Sequence, residues 1–177
     1  MVVAVLAISC GSTSTSSTES TRSSDTESTD VTFVRRMLIE HQHGIDLADI
    51  AITRSSYLDL LEFATTISAT QASEVEQMQN WLRARGLDAA DRSDPGLDPS
   101  RSVVSEADRA SILAEKGFAS DDVWITLMSQ HQQRSIDLAN LEIDSGSDPT
   151  LIELARSIRD SHQSQIDGLA RIYVTFG

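Results

Sequence analysis

Three histidines, His41, His131 and His162, interrupt stripes of apolar residues that recur at three- and four-residue spacing. Each has polar company. Glu40 precedes His41, Gln132 follows His131, Gln165 stands one turn after His162, and Gln71 and Glu74 interrupt a further stripe. Imidazole and carboxylate groups converging from facing helices are how helical bundles build metal centres, and histidine is the commonest protein ligand for metals. Met37 and Met128 lie about one turn before the histidines of their stripes, and Met78 about one turn beyond Glu74. Neutral imidazole with soft thioether suits copper, particularly the reduced ion. The expected ligands are therefore His41, His131 and His162, with Glu40, Met37 and Met128 as helpers. The competing reading is a hydrogen-bonded polar layer that fixes helix register and binds nothing. Gln, Glu and His can satisfy one another without an ion, and Met is common core filler.

Other residue groups carry less. Glu40-x-x-His43 has the spacing of half a di-iron carboxylate site, but no other stripe supplies the matching half. Two residues from His41, His43 is expected near the opposite, solvent-facing side of its helix. Asp46 and Asp137 each follow a core Ile and read as helix-edge hydrogen-bonding or ion-pairing residues. No Ser/His/Asp or Cys/His arrangement and no glycine-rich phosphate loop is present, so no catalytic residue is expected.

The elements that must position these groups are betrayed by a repeat. A shift of 91 residues places Met37 on Met128 and Ile45-Asp46-Leu47-Ala48 on Ile136-Asp137-Leu138-Ala139. The same shift, without a gap, places Leu60, Glu62, Ala64 and Ile67 on Leu151, Glu153, Ala155 and Ile158. This is a duplication. Each copy reads as two amphipathic helices joined by a short turn, hence antiparallel. Val34, Leu38, His41, Ile45, Ala48 and Ile52 mark the first stripe, beside a row from Phe33 to Ala51. The second runs from Leu60 to Leu82 and ends near Gly86, a natural C-cap. In the second copy, Asp148-Pro149 opens the last helix with Pro in its first turn. Two hairpins, each with an unburied face, pack into a four-helix bundle. The polar residues of all four stripes then fall at about one height.

The copies, 31–86 and 118–175, are separated by a connector, 87–117, within a bundle domain of 31–177. Asp94-Pro95-Gly96 and Asp98-Pro99 make the connector rich in turns. Ser105 then caps a short helix expected over Glu106 to Lys116 and closed by Gly117. The whole is all-α. Few aromatics (5%), three prolines and eight glycines in 177 residues agree with that class. A formal net charge of −13 argues against nucleic acid as a partner.

The one cysteine excludes an internal disulfide, and its position matters more than its number. Met1 to Ser9 form a short uncharged, largely apolar run ending at Cys10, too short to span a bilayer. Leu6-Ala7-Ile8-Ser9-Cys10 reads as a bacterial lipobox, with residues 1–10 the lipoprotein signal and Cys10 the lipidated residue. Residues 11–30, almost wholly Ser, Thr, Glu, Asp and Gly, read as a disordered tether. The expected location is the bacterial cell envelope, on a lipid anchor, with the membrane and a metal ion as partners. An envelope protein or a second copy of the chain is a further possible partner.

Phe33, Met37, Leu38, Glu40, His41, Ile45, Asp46, Leu47 and Ala48 form a helical motif, continued by Ile67, Gln71, Glu74, Val75, Met78, Trp81 and Leu82. With Trp124, Met128, His131, Gln132, Ile136, Asp137, Leu138 and Ala139 in the second copy, the pattern resembles the bacterial domain of unknown function 305 family. The resemblance spans about 31–173 and implies a ferritin-like four-helix fold. It also implies copper, since some members are secreted or periplasmic copper-binding proteins that use His and Met. The family's His-His pair is changed in both copies: Glu40 replaces its first member in one, and Gln132 its second in the other. The sequence thus points to a tethered, non-enzymatic protein that binds or buffers copper. The alternative is a structural or protein-interaction module of the envelope whose polar layer binds no metal. A redox or ferroxidase-like enzyme has only the analogy of fold in its favour.

Overall fold

A computed structural model describes residues 28–89 and 105–175. Every regular element among these residues is an α-helix: α1 (Thr29–Arg54), α2 (Leu58–Ala84), α3 (Glu106–Ala114), α4 (Phe118–Ser145) and α5 (Pro149–Thr175). α1, α2, α4 and α5 form the expected four-helix bundle of two hairpins, α1–α2 and α4–α5. The lipobox with Cys10, most of the 11–30 tether and the Asp94–Pro99 turns lie outside the described residues.

Local chemistry sets the helix ends. Ser28 caps α1 through its side chain, which accepts from the Val31 N–H. α1 therefore begins at Thr29, inside the stretch read as tether, because buried Asp30 has partners there that a tether would lack. Gly86, at φ 67°, lets the chain leave α2 while the Leu87 N–H bonds back to the Leu82 carbonyl. Asp148 caps α5 through the Thr150 and Leu151 N–H groups, and Pro149 takes the first helical position. Ser105 and Asp108 form a capping box on α3. That helix stops at Ala114, two residues short of expectation, and Arg54 binds the Leu113 and Glu115 carbonyls there. Gly117, at φ 59°, serves as the N-cap of α4 rather than closing α3.

The hairpins clamp each other with equivalent residues. Asp30, in the first turn of α1, accepts from the Ser147 N–H (2.7 Å), the Ser147 hydroxyl (2.6 Å) and the Asp148 N–H (3.1 Å) in the α4–α5 turn. Asp121, which the 91-residue shift superposes on Asp30, occupies the first turn of α4 and accepts from the Ser55 hydroxyl in the α1–α2 turn. With the Trp124 indole N–H donating to the Leu47 carbonyl at 2.7 Å, these contacts run α1 antiparallel to α4.

Two apolar clusters fill the bundle. One gathers Leu47, Leu60, Ile67, Trp124, Met128 and Leu169, with Ile112 pinning α3 to it. The other gathers Phe33, Val34, Met37, Met78, Leu82 and Ile158. Burial of each large side chain contributes roughly 1.5–3 kcal/mol. The face of α1 turned inward is centred on the Phe33–Ala51 row, leaving Leu38 and Ile45 half-buried and Ile52 exposed.

Near the α4–α5 turn, Glu142 is fully buried with neither carboxylate oxygen hydrogen-bonded as an acceptor. Burial, and then the facing Asp30 and Asp148 carboxylates, push its pKa up to about 8. The folded state therefore holds this proton more tightly than the unfolded chain, so the stability it contributes is complete below about 4.5 and lost as pH rises through about 8. Thermal unfolding followed by circular dichroism at pH 5, 7 and 9 should show the midpoint falling with pH. The fall should be smaller in Glu142→Gln, a comparison that separates Glu142 from other buried acids. Equal falls in the two proteins would contradict this account.

Candidate metal centre

Between the apolar clusters lies a fully polar layer. His41, Gln71, Glu74, His131, Gln132, Ser135, His162 and Gln165 are all buried, at 8% exposure or less. Such groups cost free energy unless they find partners. The layer divides into three arrangements.

The first is His41 of α1, Glu74 of α2 and His162 of α5. One atom from each lies within 4.8 Å of the other two. His41 Nε2 and Glu74 Oε2 are 2.7 Å apart with one proton between them, and His162 Nε2 stands 3.9 Å from the same oxygen. The two imidazoles stack, with centroids 5.5 Å apart and planes inclined by 27°. Burial, reinforced by the neighbouring His131, lowers the His41 pKa to about 3. Burial lowers His162 well below its ordinary value too, so both rings are neutral and keep lone pairs for a metal. Burial raises Glu74 to about 7. His41 Nδ1 and both ring nitrogens of His162 have no side-chain hydrogen-bond partner, and the Gln132 backbone lies beside His162. Ring nitrogens without side-chain partners, buried beside a carboxylate, fit a cation.

The second arrangement is a chain of amides. Gln71 Nε2 donates to Gln132 Oε1, Gln132 Nε2 to Gln165 Oε1, and Gln165 Nε2 to the Ser161 hydroxyl. The 91-residue shift relates these residues to the first group one by one: His41 to Gln132, Glu74 to Gln165, and His162 to Gln71. Duplication thus made two equivalent triads. One carries imidazole and carboxylate; in the other, amides bond to one another and need no ion.

The third lies on the pseudo-axis. Glu40 and His131 are equivalent under the shift, and they meet, with Glu40 Oε2 3.4 Å from His131 Nδ1. His131 is fully buried and neither ring nitrogen completes a hydrogen bond. Gly44 makes room for it. A Cβ there would collide with His131 Nε2 and the Gln71 side-chain amide.

The expected ligands are thus placed unequally. His41 and His162 come together, while His131 pairs with Glu40 beside them rather than joining their triad. Met37 and Met128 are fully buried in the two different apolar clusters, on opposite sides of the layer. Glu74 was recognised as a layer residue but not as a ligand. Its signal was the buried acid one turn after Gln71, opposite His41. His43, expected in solvent, is half-buried with its Nδ1 buried and unpartnered; burial lowers its pKa, with Glu40, His131, Asp46 and Arg134 as charged neighbours.

Comparison with known proteins follows the same lines. No curated protein matches this chain significantly. A DUF305 protein of Streptomyces coelicolor described as secreted is similar in structure, with a TM-score of 0.72, 24% identity, and coverage of 82% of this chain and 90% of that one. A DUF305 fragment from Deinococcus radiodurans gives 0.71 and 24%, over 83% and 96% of the two chains. CopM in its Cu(II)-bound form gives 0.68 and 21%, over 84% and 97%. These likenesses are of fold. The sequence pattern of the domain of unknown function DUF305 matches residues 30–173, which takes in all four long helices but for their outermost residues, and the chain belongs to that family.

Proposed function

We propose that this protein is a non-enzymatic binder of copper, held at the bacterial envelope by a lipid on Cys10, with His41, Glu74 and His162 as its ligands. The observation that carries the reading is the cluster of two neutral, incompletely partnered imidazoles around one buried carboxylate. CopM, similar in fold, was solved with Cu(II) and with Cu(I). Two nitrogens and one oxygen favour the cupric ion over the cuprous ion that thioethers would select. Glu40, His131, Met37 and Met128 act as outer helpers that shape the layer. An extracellular setting agrees with the description of the S. coelicolor relative as a secreted protein, and no helix among the described residues is long and apolar enough to cross a membrane.

The register-only reading has one observation in its favour. The Gln71–Gln132–Gln165 chain links three buried amides to one another without an ion, with Gln71 Oε1 alone among their oxygens left unpartnered. It accounts for one triad and leaves the other unexplained.

Calorimetric titration of the chain with Cu(II), beside Zn(II), tests the proposal. Saturable binding near one ion per chain is expected, weakened by at least about tenfold in Glu74→Gln and lost in His162→Ala. No saturable copper binding would reject the reading. A metal-free measurement separates the two readings further. Since no side chain satisfies either ring nitrogen of His162, His162→Leu should leave metal-free stability equal or higher, by up to about 2 kcal/mol. A layer needed only for register should instead lose stability or change oligomeric state on this substitution, as judged by urea unfolding and light scattering.

A further inference from the structure

The helices of the bundle do not close around the polar layer equally. α1 packs along its length against α2 and against α4, and α4 packs likewise against α5. α2 and α5 touch far less. Side chains join them at both ends and at the layer, where Glu74 faces His162. At one end the Tyr57 hydroxyl meets the Thr175 hydroxyl, and Phe63 fills the space that Gly168 leaves. At the other, the Trp81 indole N–H donates to Asp148, which also pairs with Arg85, whose guanidinium stacks over the Trp81 ring. Between these ends a groove of about 880 Å³ runs along the α2–α5 seam, and Glu74 is part of its wall.

The three proposed ligands are otherwise sealed. His41 and His162 are 0% exposed, and Glu74 retains 5%. The groove is largely apolar, with Ala69, Leu151 and Leu154 in its walls, and its other polar lining is hydroxyl, amide and carboxylate oxygen from residues such as Ser73, Gln77 and Glu153. Oxygen of this kind replaces a cation's water in steps and holds it weakly. The net charge of −13 adds attraction for cations.

From this geometry we infer that the α2–α5 groove is the route by which a small hydrated cation reaches the centre, with Glu74 the first ligand it meets. The inference rests on the metal-binding reading and adds the path. Unlike a ligand, a path governs rates and leaves equilibrium alone. Obstructing it must slow arrival and departure by the same factor.

Ser73 on α2 and Ser157 on α5 line opposite walls and are exposed, so a larger side chain at either need not enter the core. The experiment is stopped-flow mixing of the chain with aqueous Cu(II), read by quenching of tryptophan fluorescence, with dissociation measured against a chelator. Ser73→Phe and Ser157→Phe should each slow association and dissociation together, by about tenfold or more, with Kd unchanged. Thr126→Phe, at an exposed position of α4 outside the groove, should match the unsubstituted chain. Unchanged rates in both groove variants, or a weaker Kd with unchanged association, would overturn the route while leaving the centre standing. Failure of the unsubstituted chain to bind copper would remove the centre and the route together.

Discussion

The whole molecule turns on the cost of placing polar groups in the middle of a bundle. Eight buried polar residues form one layer between two apolar clusters. In water each would be solvated; inside, each must find a partner or raise the free energy of the fold. The helices can bring the layer together only if their register is right. That register is held at the bundle ends, where Asp30 grips the α4–α5 turn and Asp121 grips the α1–α2 turn. Apolar clusters on both sides supply the driving force. The clamps decide which residues meet.

Duplication explains why the layer is lopsided. A perfect repeat would present two identical triads about a pseudo-axis. In this chain one triad is glutamine, and its amides donate in sequence from Gln71 to Gln132, from Gln132 to Gln165 and from Gln165 to Ser161, leaving Gln71 Oε1 unpartnered. The other has kept imidazole and carboxylate, with nitrogens unsatisfied. The first arrangement directs its donors to neighbouring amides, and the second leaves imidazole nitrogens beside a carboxylate. On the axis, Glu40 and His131 face each other, and Gly44 provides the space for that meeting.

Much of this was legible in the sequence because it depends on spacing. The 91-residue repeat, the helical stripes, the Gly86 cap and the Asp148-Pro149 start are local or periodic, and they led to the bundle and to the polar layer. What spacing does not give is rotation about each helix axis and the partner across it. His131 lies on the same kind of stripe as His41, yet it pairs with Glu40 and stays outside the His41–Glu74–His162 cluster. Met37 and Met128 are each one turn from the layer, but antiparallel packing sends them to opposite sides of it. Glu74 gained its importance only from His41 and His162, which belong to other helices. The end of α3 was missed for a related reason, since Arg54, distant in sequence, occupies the carbonyls at its terminus.

The His41–Glu74–His162 group draws on α1, α2 and α5, the first two of the described helices and the last. Neither hairpin alone contains it. A chain still being synthesised or threaded through a narrow channel has the first two ligands but lacks the third. It therefore cannot offer this three-ligand group to a metal. The group forms only when α5 docks against the first hairpin, so an intact three-ligand centre would report that the two hairpins have assembled.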